Sequence, residues 1–186
     1  MSIDNYFEIQ QDLQRELIAG EKLLWTGRPK TGLVLRSSDV LAIPFSLLWF
    51  GFAIFWESGV FNSDGPFFFM IWGIPFVLMG LYISIGRFFY DAMLRKNTTY
   101  GVTNTRVIIK SGVFKSSVSS FNISTIQNLG LDEKSDGSGN IKLEADKTPF
   151  SGFNVAGWPG AKQTPQIELV QNVRSVYNLI LQQQHK

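Results

Sequence analysis

Residues 66–86, PFFFMIWGIPFVLMGLYISIG, contain no charged side chain. As an α-helix this stretch reaches roughly 31 Å, about the thickness of a bilayer's hydrocarbon core. A second uncharged stretch, residues 40–56, reads VLAIPFSLLWFGFAIFW. It reaches roughly 25 Å, and Ser37 and Ser38 can extend it. Neither stretch carries a polar stripe at helical spacing, as a helix on a soluble surface must. A chain of 186 residues has little else with which to cover two helices apolar all round. The sequence therefore predicts a transmembrane helical hairpin within residues 37–90, with spans at about 38–57 and 66–88.

Each stretch contains Ile-Pro-Phe, at Ile43-Pro44-Phe45 and Ile74-Pro75-Phe76. Membrane helices tolerate proline where neighbours satisfy the freed carbonyl. Ala42, Ser46, Gly51, Gly73 and Gly80 are small enough to let two helices approach closely. No ionisable residue falls inside the uncharged stretches, so an ion or proton pathway lacks its usual marker.

Charge sets the expected topology. The link, residues 57–65, has Glu57 and Asp64 but no Lys or Arg. Lys22, Arg28, Lys30 and Arg36 precede the first span, and Arg87, Arg95 and Lys96 follow the second. The positive-inside rule then puts both termini in the cytoplasm and the link outside. Trp56 and Phe67–Phe69 sit where aromatic side chains favour the outer interface, and Tyr90 does so on the inner side. The first twenty residues carry Asp4, Glu8, Asp12, Arg15 and Glu16, so no secretory signal is expected there.

Composition excludes several chemistries. The chain has no cysteine, and its one histidine is His185. Thiolate catalysis, Cys-ligated metals and multi-His metal sites are ruled out. A net charge of +2 without a basic stripe argues against a nucleic-acid partner. No cofactor is expected. Gly137-Ser138-Gly139 lacks the lysine and helix of a phosphate loop. The acids Asp132-Glu133 and Glu144…Asp146 adjoin turns and read as solvated strand ends.

The rest of the chain is soluble in pattern. Residues 6–19 suggest an amphipathic helix with Phe7, Ile9, Leu13, Leu17 and Ile18 on its apolar side, placed either on the membrane or, by slight preference, against the C-terminal part. A turn and short strand follow over 20–25, broken by Gly27-Arg28-Pro29. Strands are expected at 99–103, 106–110, 113–120, 126–131, 141–145 and 166–170, with turns at Asn104-Thr105 and Asp136–Gly139. Val173, Val176, Tyr177, Ile180 and Leu181 then follow a helical period, with Asn172 at the N-cap. The expected class is α+β, a sheet closed by a C-terminal helix.

These patterns resemble bacterial membrane proteins with a pleckstrin-homology-like (bacterial PH) domain. The resemblance rests on Tyr100-Gly-Val-Thr103-Asn-Thr-Arg106-Val-Ile-Ile, on Gly139-Asn-Ile-Lys-Leu, and on the Val173…Val176-Tyr177…Ile180 helix. It also rests on Gly20-Glu21…Leu24-Trp25…Gly27-Arg28-Pro29 ahead of the hairpin. It implies a seven-stranded bent β-sheet or barrel capped by a C-terminal α-helix, used for binding rather than catalysis. On this reading residues 1–36 are a cytoplasmic helix and short strand, and 97–186 are the cytoplasmic PH-like domain. Lys96, Arg106, Lys110 and Lys115 lack the Lys/Arg-x-Arg spacing of phosphoinositide-binding pleckstrin domains, so no ligand residues carry over.

Three residues stand out as candidate contacts with the membrane surface or a partner. Arg106 follows a turn, and its guanidinium suits a phosphate, although an arginine there more often caps carbonyls. Phe153 and Trp158 lie in the long loop 150–165, where they either dip into the membrane surface or a partner or, the commoner case, fold back over the sheet opening. The expected function is a non-enzymatic scaffold at the inner-membrane surface, with the bilayer and either a protein partner or a second copy as its partners. Tethering makes weak binding effectively intramolecular. The alternative is a sensor of anionic lipid headgroups, in which Arg36, Arg87, Arg95 and Lys96 each add roughly 1 kcal/mol.

Overall fold

The computed structural model describes residues 3–36, 39–63, 66–143 and 165–186. In chain order the elements are α1 (Ile3–Gln14), β1 (Leu23–Gly27), α2 (Asp39–Asn62), α3 (Phe67–Leu81), a π-helical turn (Tyr82–Gly86) and α4 (Arg87–Lys96). Then come β2 (Thr99–Thr103), β3 (Arg106–Ser111), β4 (Ser117–Asn122), a 3-10 turn (Ile123–Thr125), β5 (Gly130–Glu133), β6 (Gly139–Lys142), β7 (Gln166–Val170) and α5 (Val173–Gln184). The class is α+β. Described residues 3–32, 93–143 and 165–186 form one compact unit, and 33–36, 39–63 and 66–92 form another.

In the first unit, Thr99–Thr103 and Arg106–Ser111 are rich in β-branched residues and pair antiparallel around Asn104-Thr105. The strands make two antiparallel sheets, ordered β1-β2-β3-β4 and β5-β6-β7. The core joins Tyr100, Val102 and Val107 of the first sheet to Ile141, Ile167 and Val170 of the second. Val173, Val176 and Ile180 of α5 complete it, as their helical spacing predicts.

Although the hairpin separates them in sequence, β1 pairs with β2, from Leu23↔Thr103 to Gly27↔Tyr100. It covers backbone groups that would otherwise form an open sheet edge. Ile9 and Leu13 of α1 bury against Ile108 of β3. The helix expected over 6–19 stops at Gln14. Glu16 N and Leu17 N donate to Leu13 O and Gln14 O in a closing turn, and Phe7 and Ile18 stay exposed.

Two strands sit later than their sequence pattern suggests. Residues 112–116 form a turn, so the strand expected over 113–120 is Ser117–Asn122. Gly112 has φ +148°, and a Cβ there would overlap the Lys115 carbonyl. Asn122 Oδ1 accepts from Ser124 N, starting a 3-10 turn. The strand expected at 126–131 accordingly becomes Gly130–Glu133. The end of the strand expected at 141–145 lies outside the described residues.

In the second unit α2 packs along α3, and Pro44 and Pro75 lie inside their helices. Gly80 meets Phe50 so closely that a Cβ would stand 2.7 Å from the ring. Gly73 faces Trp56 and Glu57, and Ser84 Oγ donates to Ser46 O at 3.1 Å. Gly51, expected at the helix contact, is instead exposed, with open space where a Cβ would be. The first helix also outruns its expected end. It continues to Asn62, so Glu57 is a helical residue and not part of the link. Only 17% of the most apolar 18 residues is buried in α2, and the same share in the helical run 67–96.

Candidate functional site

An antiparallel hairpin brings the start of its first helix beside the end of its second. Here those ends carry Asp39 and Arg87, the groups that bound the two uncharged runs. Arg87 Nη1 lies 2.7 Å from Asp39 Oδ1, and both residues are buried. The preceding π-helical turn leads into Arg87, whose Nε donates to Ile83 O at 2.8 Å. Its guanidinium stands 4.2 Å from the centre of the Phe88 ring. Asp39 Oδ2 accepts from Arg36 N at 2.7 Å, an anion in the first helical turn. Arg36 Nη2 stands 3.5 Å from Asp91 Oδ1. This cluster clamps the base of the hairpin, with Arg87 Nη2 buried and without a hydrogen-bond partner among the described residues.

The charge pattern alone assigns Arg36, Arg87, Arg95 and Lys96 to topology and lipid attraction and does not reveal this pairing. The signal was present: one acid directly precedes one apolar run, and one base directly follows the other.

In the first unit Arg95 is also buried. Its Nη1 donates to Lys30 O at 2.7 Å and its Nη2 to Gly32 O at 2.8 Å. It therefore straps together the two places where the chain passes between this unit and the hairpin. Lys96 is exposed.

Arg106, a candidate from sequence, lies in a second polar cluster. Its Nε and Nη2 donate to the Glu21 carboxylate at 2.9 and 3.0 Å, its Nη2 also to Glu16 O, and its Nη1 to Ser120 Oγ. The Glu21 side chain is only 1% exposed. Burial raises its pKa, but hydrogen bonds from Arg106, Thr103, the Ile18 amide and Thr105 outweigh this and lower it to about 2. Beside it, Lys110 Nζ meets Asp12 at 2.7 Å and Glu16 at 3.3 Å. These contacts fasten α1 and the 16–21 turn to β2 and β3, with most of Arg106's donors engaged inside the chain. Phe153 and Trp158 lie outside the described residues.

The acids Asp132 and Glu133 meet Lys142 and Arg174 at the surface. Among the described residues no three His, Asp or Glu side chains converge to hold a metal. An open groove between β1 and α5 is lined by Leu24, Trp25, Ser175, Val176, Leu179 and Gln182.

A family model described as Bacterial PH domain matches residues 41–184, taking in both long helices, the strands from β2 onward and α5. The chain belongs to the bacterial PH domain family. PH domains are in general non-catalytic binding modules that commonly bind lipids or proteins. The bacterial PH match leaves out α1 and β1, although β1 forms an edge of the first sheet. No curated protein and no solved structure matches the chain.

Proposed function

We propose that this bacterial PH domain protein is a non-catalytic scaffold held at the cytoplasmic face of a bacterial inner membrane by a two-helix transmembrane hairpin. In this reading residues 37–90 cross the bilayer twice, residues 1–36 and 97–186 are cytoplasmic, and the two sheets form a PH-like barrel capped by α5. The observation that carries the reading is the exposure of the long helices. Core helices of a soluble protein hide their apolar side chains, whereas Phe45, Leu48, Phe52, Phe55, Phe68, Trp72 and Leu78 stand open on α2 and α3. Lipid is the solvent that accepts such a surface. The Lys/Arg asymmetry supports cytoplasmic termini.

The binding surface faces a protein partner or a second copy. The headgroup-sensor reading is less well supported, because Arg87 and Arg95 are buried in polar contacts of the chain and Arg36 pairs with Asp91.

The absence of native cysteine makes the test direct. Ser63→Cys in the link and Ser124→Cys after β4 are treated with a membrane-impermeant maleimide in spheroplasts. The expected result is labelling at 63 in sealed cells and at 124 only after lysis. Labelling of 124 in sealed cells, or release of the protein by alkaline carbonate, overturns the proposal.

A further inference from the structure

Phe114 is 97% exposed, an apolar ring held out in solvent. It sits between β3 and β4 in a turn whose shape is fixed by Gly112, where any side chain would strike the Lys115 carbonyl. Exposed Lys115 follows it. A lone exposed ring is ordinary, but the register gives this one a definite place. Thr99 pairs with Lys110, and Ser111 pairs with Ser117, so the turn projects from the end of the sheet where β2 begins. Gly27, the last residue of β1, pairs with Tyr100 at that same end. Both passages of the chain toward the hairpin, residues 28–32 and 93–98, therefore leave from this end, joined by Arg95. The opposite end of the sheet carries Asn104-Thr105 and the Arg106↔Asn122 pair.

We infer that the Phe114-Lys115 tip is a membrane-surface contact: the ring enters the headgroup boundary of the cytoplasmic leaflet while the lysine ammonium stays among lipid phosphates. The partner is a lipid surface because the tip has that chemistry. An apolar ring can bury at the headgroup/acyl boundary, and a flexible amine on an apolar stem reaches back to anionic oxygens. Residues 28–32 and 93–98 join this end of the sheet to the hairpin, so one ring is enough to hold a contact that it could not establish from solution. This inference rests on the hairpin spanning the bilayer.

The test places one environment-sensitive fluorophore at a time on Phe114→Cys, Ser124→Cys or Leu78→Cys in the full chain. The protein is reconstituted in vesicles of phosphatidylcholine with phosphatidylglycerol. Brominated acyl chains quench from within the lipid, and iodide, present on both sides of the bilayer, quenches from water. Expected are lipid quenching at 78 and 114 and iodide quenching at 124. The identical dye at 124 controls for the dye's own affinity for lipid. Lipid quenching at 78 with iodide quenching at 114 overturns the tip contact and leaves the hairpin standing. Protection of 114 from both quenchers also overturns it, and points to a protein surface. Iodide quenching at 78 overturns the hairpin and the tip together.

Discussion

At the scale of single residues, the cost of enclosing charge makes two positions decisive. Glu21 and Arg106 lie in different parts of the sequence, and an isolated buried carboxylate costs several kcal/mol. Arg106→Ala is therefore expected to destabilise the first unit by about 3 kcal/mol, read from chemical unfolding of the detergent-solubilised protein. Acid gives the matching test. The folded-state pKa of Glu21, about 2, lies below its ordinary 4.5. Its stabilisation, on the order of 3 kcal/mol, is thus present above pH 4.5 and is lost as pH falls toward 2. Glu21→Gln should flatten that acid limb, and an unchanged limb would refute the assignment. At the hairpin base, Asp39→Ala leaves Arg87 enclosed without its anion, while the double variant Asp39→Ala/Arg87→Met removes both charges. The double variant is expected to be more stable than the single one, as measured by thermal unfolding in micelles.

At the scale of elements, periodicity was the legible signal and ends were not. α5, β2, β3 and β7 follow from apolar spacing over their own residues. The start of β4 depends on a glycine turn, and that of β5 on a side-chain hydrogen bond from Asn122, neither of which a hydrophobic pattern records. Asn172 illustrates the difference. It stands at the N-cap as its position suggests, but with φ +51° and no side-chain cap hydrogen bond. Left-handed backbone, not capping, is what selects asparagine here. Asn172→Gly is therefore expected to be neutral or slightly stabilising, and Asn172→Ser, a good cap, to cost about 1 kcal/mol. The opposite order in melting temperature would restore the side-chain cap. Close approach makes a second test. A Cβ at Gly139 would overlap the Asp132 carbonyl and stand 2.9 Å from Val173 Cγ1. Gly139→Ala should accordingly cost about 1–3 kcal/mol, whereas Gly51→Ala on the exposed face of α2 should cost little.

At the scale of the whole molecule, the hairpin is an insertion between two neighbouring strands of one sheet. Arg95 binds the carbonyls of both Lys30 and Gly32, so the two passages are adjacent and a linker of roughly four residues can join them. Replacing residues 33–92 with Gly-Ser-Gly-Ser is expected to give a soluble, cooperatively folding protein. Residues 97–186 alone should not fold stably, because β2 loses β1 from its edge and β3 loses α1. Comparable protease resistance of the two forms would contradict this. The soluble form also tests the sensor reading: flotation on anionic vesicles that vanishes at high salt would favour it.

Chain chemistry alone determined that two stretches are long, uncharged and apolar all round, that the sequence offers no thiol and a single histidine, and that a strand-rich part ends in an amphipathic helix. These are properties of composition and of local period, which every residue carries with it. Tertiary structure decided that β1 belongs beside β2, that Asp39 meets Arg87 and Glu21 meets Arg106, and that Arg106 is largely engaged within the chain. It also decided that Phe114 shares an end of the sheet with both passages to the hairpin. Each of these is a long-range pairing, made because unpaired strand edges and enclosed charges are costly, and no local pattern identifies the partner.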